Sequence, residues 1–164
     1  MEWDALDRKI IVELERDSRR SFRELAANLR TSTTTVIARV EKLEAAGVLQ
    51  GFSVMADSQK LGYDITAITE IFVSKGKLLE MEKAVAKLPG VCAVYDVTGD
   101  FDGIVIAKFR DRESLGSFTK RLLSMPFVER ANTHVVLTTV KEDFRLPPSV
   151  QEPSKRNSTP APQF

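Results

Sequence analysis

The chain has one cysteine, Cys92, and one histidine, His134, in 164 residues. One of each cannot build a disulfide framework, a zinc cage or a Cys-His-Asp nucleophilic site, so much of hydrolase and metalloenzyme chemistry is excluded. No apolar run approaches the roughly 20 residues that a membrane-spanning helix needs. The first residues, Met1-Glu2-Trp3-Asp4, lack a basic segment followed by an apolar run. No secretory signal is expected, and the chain is expected in the cytoplasm without membrane contact. An excess of either charge is missing too, at a net +1. Proline is scarce outside the end of the chain: five of the seven lie at Pro147, Pro148, Pro153, Pro160 and Pro162. Residues 145–164 hold too few large apolar groups to offset their ordering entropy and are expected to form a flexible tail. What is present, 43% apolar and 29% charged residues, is the balance of a folded globular protein.

The near-zero charge hides a pattern. Residues 1–52 carry nine basic and nine acidic groups, yet within them 16–42 hold Arg16, Arg19, Arg20, Arg23, Arg30, Arg39 and Lys42 against Asp17, Glu24 and Glu41. Such a local basic surface attracts phosphate. The same residues also suit the solvated face of an ordinary helix. Apolar spacing predicts three helices here. Asp4 caps one with Leu6, Ile10, Ile11 and Leu14 inward, and Ser21-Phe22-Arg23-Glu24 is a capping box opening a second through Leu25, Ala26 and Leu29. Ser32 opens a third through Val36, Val40 and Leu43, which Gly47 stops. The two- or three-residue link between the second and third fixes a steep angle, the helix-turn-helix geometry. Residues 48–54 read as an extended wing.

Beyond a linker at 53–63 the pattern becomes strand 65–74, helix 77–88, strand 91–98, strand 102–109, a helix capped by Asp111, and strand 131–140. This β-α-β-β-α-β order is the split arrangement of ferredoxin-like domains, so the fold class is α+β. Pro89 and Pro126 each stop a helix just before a strand. Two helices cover one sheet face, while Ile68, Phe72, Val136 and Val140 place apolar groups on the other, and Ile104-Val105-Ile106-Ala107 is apolar throughout. A second copy of the sheet is the simplest cover, which predicts a homodimer. Cys92, between Val91 and Ala93, is expected in the core.

Six segments in order carry a resemblance to one family. They are Leu6-Asp7 with Ile10 and Leu14; Arg39-Val40-Glu41-Lys42-Leu43-Glu44 with Gly47-Val48-Leu49-Gln50-Gly51-Phe52; Leu61-Gly62-Tyr63; Pro89-Gly90-Val91; Thr98-Gly99-Asp100-Phe101-Asp102; and Thr133-His134-Val135-Val136. Over about residues 4–144 the chain resembles the Lrp/AsnC, or feast/famine, transcription regulators. It departs from them at Arg30, where the family often has Gly, and at Thr31, where an apolar residue is common. A non-Gly residue at positive φ costs around 1 kcal/mol.

The resemblance implies a winged helix-turn-helix DNA-binding domain over 1–52, a linker over 53–63 and a ferredoxin-like effector-binding and oligomerisation domain over 64–144. On the third helix Ser32, Thr33, Thr34 and Ile37 are the candidate DNA contacts, with Arg39 beside them and Arg20 and Arg23 at the second helix. Hydroxyls, methyls and guanidinium groups touch phosphates and thymine methyls, so deformability of double-stranded DNA is expected to share in specificity. The loop 99–103 is by composition a hairpin turn. The resemblance makes Gly99, Asp100 and Asp102, with Thr133 and His134 opposite, the candidate site for an amino acid or related metabolite, placed between dimers that assemble to a tetramer or octamer. Asp100 and Asp102 fall short of the six to eight oxygens of a calcium site, so no metal or cofactor is expected. His134 is open to two roles, a pH-sensitive group or a buried hydrogen-bonding one. Two other functions fit the same architecture: a siroheme-decarboxylase-like enzyme, disfavoured by the single histidine, and an architectural DNA-binding protein with no effector.

Overall fold

Asp4 begins the first helix as its position predicts. Its carboxylate accepts from Leu6 N and Asp7 N, both at 2.9 Å, and Asp7 returns a bond to Asp4 N at 3.2 Å. In the computed structural model, which describes residues 3–144, this is α1, Ala5–Arg16. The tail expected at 145–164 lies outside the described residues. Ser21 and Glu24 close a second capping box on α2, Phe22–Leu29, and Ser32 caps α3, Thr33–Ala45, through Thr35 N at 3.0 Å. Ile10, Leu14, Leu25, Ala26, Val36, Val40 and Leu43 form the core where the three helices meet.

Between α2 and α3 the chain turns at Arg30, with φ 54° and ψ 47°. It is the only non-Gly residue at positive φ among those described. The left-handed turn at Arg30 lets Thr31 N reach back to Ala26 O at 3.0 Å and ends the helix. Gly47, at φ 68°, does the same for α3 and brings Val48 N to Leu43 O. Leu49 then packs on the three-helix core, but residues 48–54 make no β ladder. The expected wing is therefore an extended segment without a paired strand.

The chain divides into two compact units, one built on the N-terminal residues up to Val54 and the other on Met55–Glu142. The second contains β1 (Ile65–Val73), α4 (Leu78–Val85), β2 (Val91–Asp96), β3 (Gly103–Phe109), α5 (Arg112–Leu123) and β4 (Val128–Val135). The sheet is antiparallel in the order β2-β3-β1-β4, the split β-α-β-β-α-β arrangement. Ala67, Ile71, Val105, Ala107 and Phe109 meet Met81, Val85, Leu88, Phe118 and Leu122 on the helix-covered face. Much of the expected linker docks on this unit: Lys108 Nζ donates to Ser58 Oγ at 3.1 Å, and the Arg110 guanidinium stands 4.9 Å from the Tyr63 ring centre.

Three sequence expectations change here. The last strand runs Val128–Val135 rather than 131–140: Val135 pairs Ala67, and Val136 N to Thr66 O is the final bond, near the start of β1 at Ile65. Leu137 and Val140 consequently lie off the sheet, 96% and 95% exposed. The open face is mixed rather than uniformly apolar. Ile68, Ile104, Ile106, Phe72 and Tyr95 share it with Arg130, Asn132 and His134, since the alternation of β4 turns its polar residues outward. Cys92 is exposed, because the ladder between β2 and β3 slips between Val91 and Ala93 and leaves it unpaired.

Candidate functional site

On α3 the inward positions Val36, Val40 and Leu43 leave Thr33, Thr34, Ile37 and Ala38 exposed on the opposite side. Ser32 spends its hydroxyl on the cap, where Oγ lies 2.8 Å from Thr35 Oγ1. The exposed face is thus two hydroxyls and small apolar groups, with no Asn, Gln or free Arg to form a bidentate contact with a base edge.

The arginines divide sharply. Arg39 turns toward α1, its Nη1 2.5 Å from Asp4 Oδ2 and 3.1 Å from Asp7 Oδ1, while Lys42 Nζ is 3.5 Å from Asp7 Oδ2. Asp7 is 0% exposed. Asp4 and Asp7 raise the pKa of the Arg39 guanidinium, hydrogen bonding to Asp4 contributing most. Arg20 pairs with Glu13, as does Arg16, and Arg19 pairs with Asp17. Of the seven basic groups between 16 and 42, Arg23 and Arg30 are exposed without an ion-pair partner among the described residues. Arg39 and Arg20, two of the candidate phosphate contacts, are occupied within the domain.

The candidate effector residues do not converge. Gly99, at φ 135°, and the exposed Asp100 form the tip of the β2–β3 loop. Asp102 is tied down: its Oδ2 accepts from Val73 N at 2.8 Å, and its own N donates to Ile71 O at 3.0 Å. Thr133 points to the helix-covered face, its hydroxyl 3.0 Å from that of buried Thr69. His134, one residue on, points to the open face, with Nε2 3.2 Å from Asn132 Nδ2 and 3.5 Å from Glu70 Oε1. The half-turn per residue of a strand separates Thr133 from His134.

The family models match both units. The AsnC-type helix-turn-helix domain covers residues 4–44 and the Lrp/AsnC ligand binding domain covers 66–146. An uncharacterized HTH-type transcriptional regulator of Pyrococcus horikoshii is 52% identical over 148 residues, which span 90% of this chain and 100% of that protein. The chain belongs to the Lrp/AsnC family. A second relative, the HTH-type transcriptional regulator FL11 of the same organism, is 35% identical across 88% of this chain and 95% of its own. Among solved structures, a transcriptional regulator from Neisseria meningitidis in complex with L-Met is similar at 26% identity and TM-score 0.78, covering 89% of this chain and 97% of that one. Escherichia coli AsnC has the same fold, with TM-score 0.80 at 24% identity over 91% of this chain and 100% of its own.

This Lrp/AsnC chain is therefore a transcription regulator with a helix-turn-helix domain and a ligand-binding domain, in a family whose similar members are named as regulators. Among the described residues no helix is long and apolar enough to cross a membrane. The structure also adds residues that sequence reasoning passed over. Phe101 meets Phe72 edge-on at 6.4 Å between ring centres, and the Arg130 guanidinium sits 3.9 Å from the Phe72 ring centre, so a cation and two rings border the Asp100 loop. Only the pairing of Arg130 with Phe72 across β4 and β1 reveals this, and no spacing in the sequence carries it. Asp7 had a local signal, since it stands three residues after the capping Asp4.

Proposed function

We propose that the chain is a sequence-specific DNA-binding regulator whose assembly and DNA affinity respond to an amino acid or related small metabolite. In this reading residues 1–52 read double-stranded DNA in the cytoplasm, 53–63 link, and 64–144 bind the effector and assemble the chain as a homodimer, extended by dimer pairing to a tetramer or octamer. The observation that carries it is the outer face of α3, where Thr33, Thr34 and Ile37 stand exposed while Arg39 and Lys42 brace the helix from behind. A braced helix offering hydroxyls and methyls suits phosphate and thymine contacts, with DNA deformability supplying the rest of the specificity.

The effector reading is supported by Asp100, exposed and available to an ammonium group, and by Arg130, available to a carboxylate. The Neisseria relative bound to L-Met has the same kind of domain. The dimer is supported by Ile68, 36% exposed, and Tyr95 on a sheet face that its own helices leave open. Paired sheets would cover that face, and two heads would match symmetric half-sites.

Fluorescence anisotropy with DNA from upstream of the protein's own gene, beside random DNA at two salt concentrations, tests this reading. Preference for the upstream DNA that an amino acid shifts in wild type but not in Asp100→Ala supports it. Equal binding to both DNAs, or none, overturns it.

A further inference from the structure

A well-formed hollow of the second unit lies at the end of β3 away from the Asp100 loop. It is a cleft of about 510 Å³ bounded by the end of β3, the first and last turns of α5, the turn at Pro89 and Tyr63. Gly103 and Phe109 bound β3, and at about 3.3 Å per residue the two ends stand roughly 20 Å apart. We infer that this cleft is a second small-molecule site, for a monocarboxylate with an apolar body. The inference is independent of the proposed effector loop.

Three features carry it. The first is the reason for the hollow: α5 turns Ser114 and Ser117 toward the cleft where larger side chains would fill it. Gly90, held against β3, lines the cleft as well and adds no side chain to it. The volume falls within the range of sites for small metabolites. The second is the floor, formed by the edges of Leu88, Phe109 and Phe118, whose bulk lies in the core. Such a floor holds an apolar body out of water.

The third is charge. Arg110 rests over the Tyr63 ring at 4.9 Å, and Arg121 reaches the cleft from the last turn of α5. Neither has an ion-pair partner among the described residues, in contrast to Arg16, Arg19, Arg20 and Arg39 of the first unit. Lys108 is engaged by Glu142 at 2.6 Å. Asp111 is occupied in capping, its Oδ1 accepting from Ser114 N at 2.7 Å. With Lys108 held by Glu142, the cleft offers the guanidinium groups of Arg110 and Arg121 beside the carboxylates of Asp111 and Glu113, which suits a single carboxylate rather than a polyphosphate. A planar guanidinium pre-ordered on an aromatic ring presents its donors to a carboxylate in fork geometry.

Isothermal titration calorimetry of the full-length chain with 4-methylpentanoate tests the site. Acetate, inorganic phosphate and 4-methylpentan-1-amine serve as comparison ligands. We expect 4-methylpentanoate to bind at least tenfold more tightly than any of the three. Arg121→Gln and Ser117→Phe, each with an unchanged circular dichroism spectrum, should weaken it at least tenfold, and Asp100→Ala should leave it within twofold. If Ser117→Phe does not fold, Arg110→Gln replaces it. No binding, equal binding of acetate, indifference to the cleft substitutions, or loss in Asp100→Ala would each overturn the proposal. Because DNA is not the readout, these outcomes stay separate from the fate of the regulator reading.

Discussion

Replacing Gly90 by Ala isolates a backbone contact that holds the sheet in register. Gly90 sits at φ 82°, a conformation that an L side chain adopts with strain. Its carbonyl accepts from Lys108 N at 2.8 Å, and an added Cβ would lie 2.4 Å from Lys108 O and 3.4 Å from Phe109 Cε1. The conformational cost is about 1 kcal/mol. The contact adds an overpacking cost of about 2 kcal/mol, because the neighbour is backbone already bonded to Gly90 and cannot rotate away. The total is about 3 kcal/mol, equivalent to a fall of roughly 15 °C in the melting temperature of a unit this size. Gly76 is the control: its φ is 79°, almost the same, but a Cβ there would meet nothing within 4 Å. Gly76→Ala should therefore cost only the conformational part, about 1 kcal/mol. Urea unfolding followed by circular dichroism measures both. Equal losses in the two variants would refute the contact argument, since the only difference between them is what the methyl group meets.

Other perturbations have outcomes of known sign. Arg30→Gly relieves the left-handed strain at the α2–α3 turn, offset in part by the greater freedom of unfolded glycine, and should stabilise the helical unit by up to about 1 kcal/mol in thermal melts. Arg23→Gln removes an unpaired cation and should lower DNA affinity without altering preference between sequences, reducing the slope of log affinity against log salt by about 1. The acid limb of stability carries a further prediction. Hydrogen bonds from Ser114, the backbone N–H first, hold the Asp111 carboxyl below its ordinary value of 3.8. A lowered folded value means that the cap contributes fully above the unfolded value and is lost as pH falls through the folded one. Asp111→Asn keeps a capping oxygen but does not titrate, so stability measured from pH 6 to pH 2 should fall less steeply in the variant.

Legibility tracked the range of the interaction. The helix starts at Asp4, Ser21, Ser32 and Asp111 were plain in the sequence, because a cap is completed within three residues. The core residues followed from periodicity, as did the order of strands and helices. The end of β4 was not legible: Val136, Leu137 and Val140 have strand character, yet the ladder with β1 ends at Val135 opposite Ala67, a fact of pairing that no local signal carries. The ion pairs within the basic run at 16–42 are only partly local. Asp4 and Asp7 hold Arg39 and Lys42 from the start of α1, across separations of up to 35 residues, while Glu13 and Asp17 hold Arg16, Arg19 and Arg20 locally. Asp102 reads as a loop carboxylate, yet its bond to Val73 N spans 29 residues. Arg39 and Asp102 read as facing solvent or a ligand, yet a distant part of the chain holds both.

That internal pairing bears on how the regulator would search a genome. Affinity for random DNA comes almost wholly from cations that displace counterions along the phosphates. In this head most of the arginines are committed to carboxylates of the same domain, and Arg23 and Arg30 are left to meet phosphate. In the proposed regulator such a head would release random sequence readily, so the background of competing sites would weigh less against any fixed affinity for the target. Selectivity would then be gained by weak attachment to everything else, and a modest number of copies could keep a target occupied.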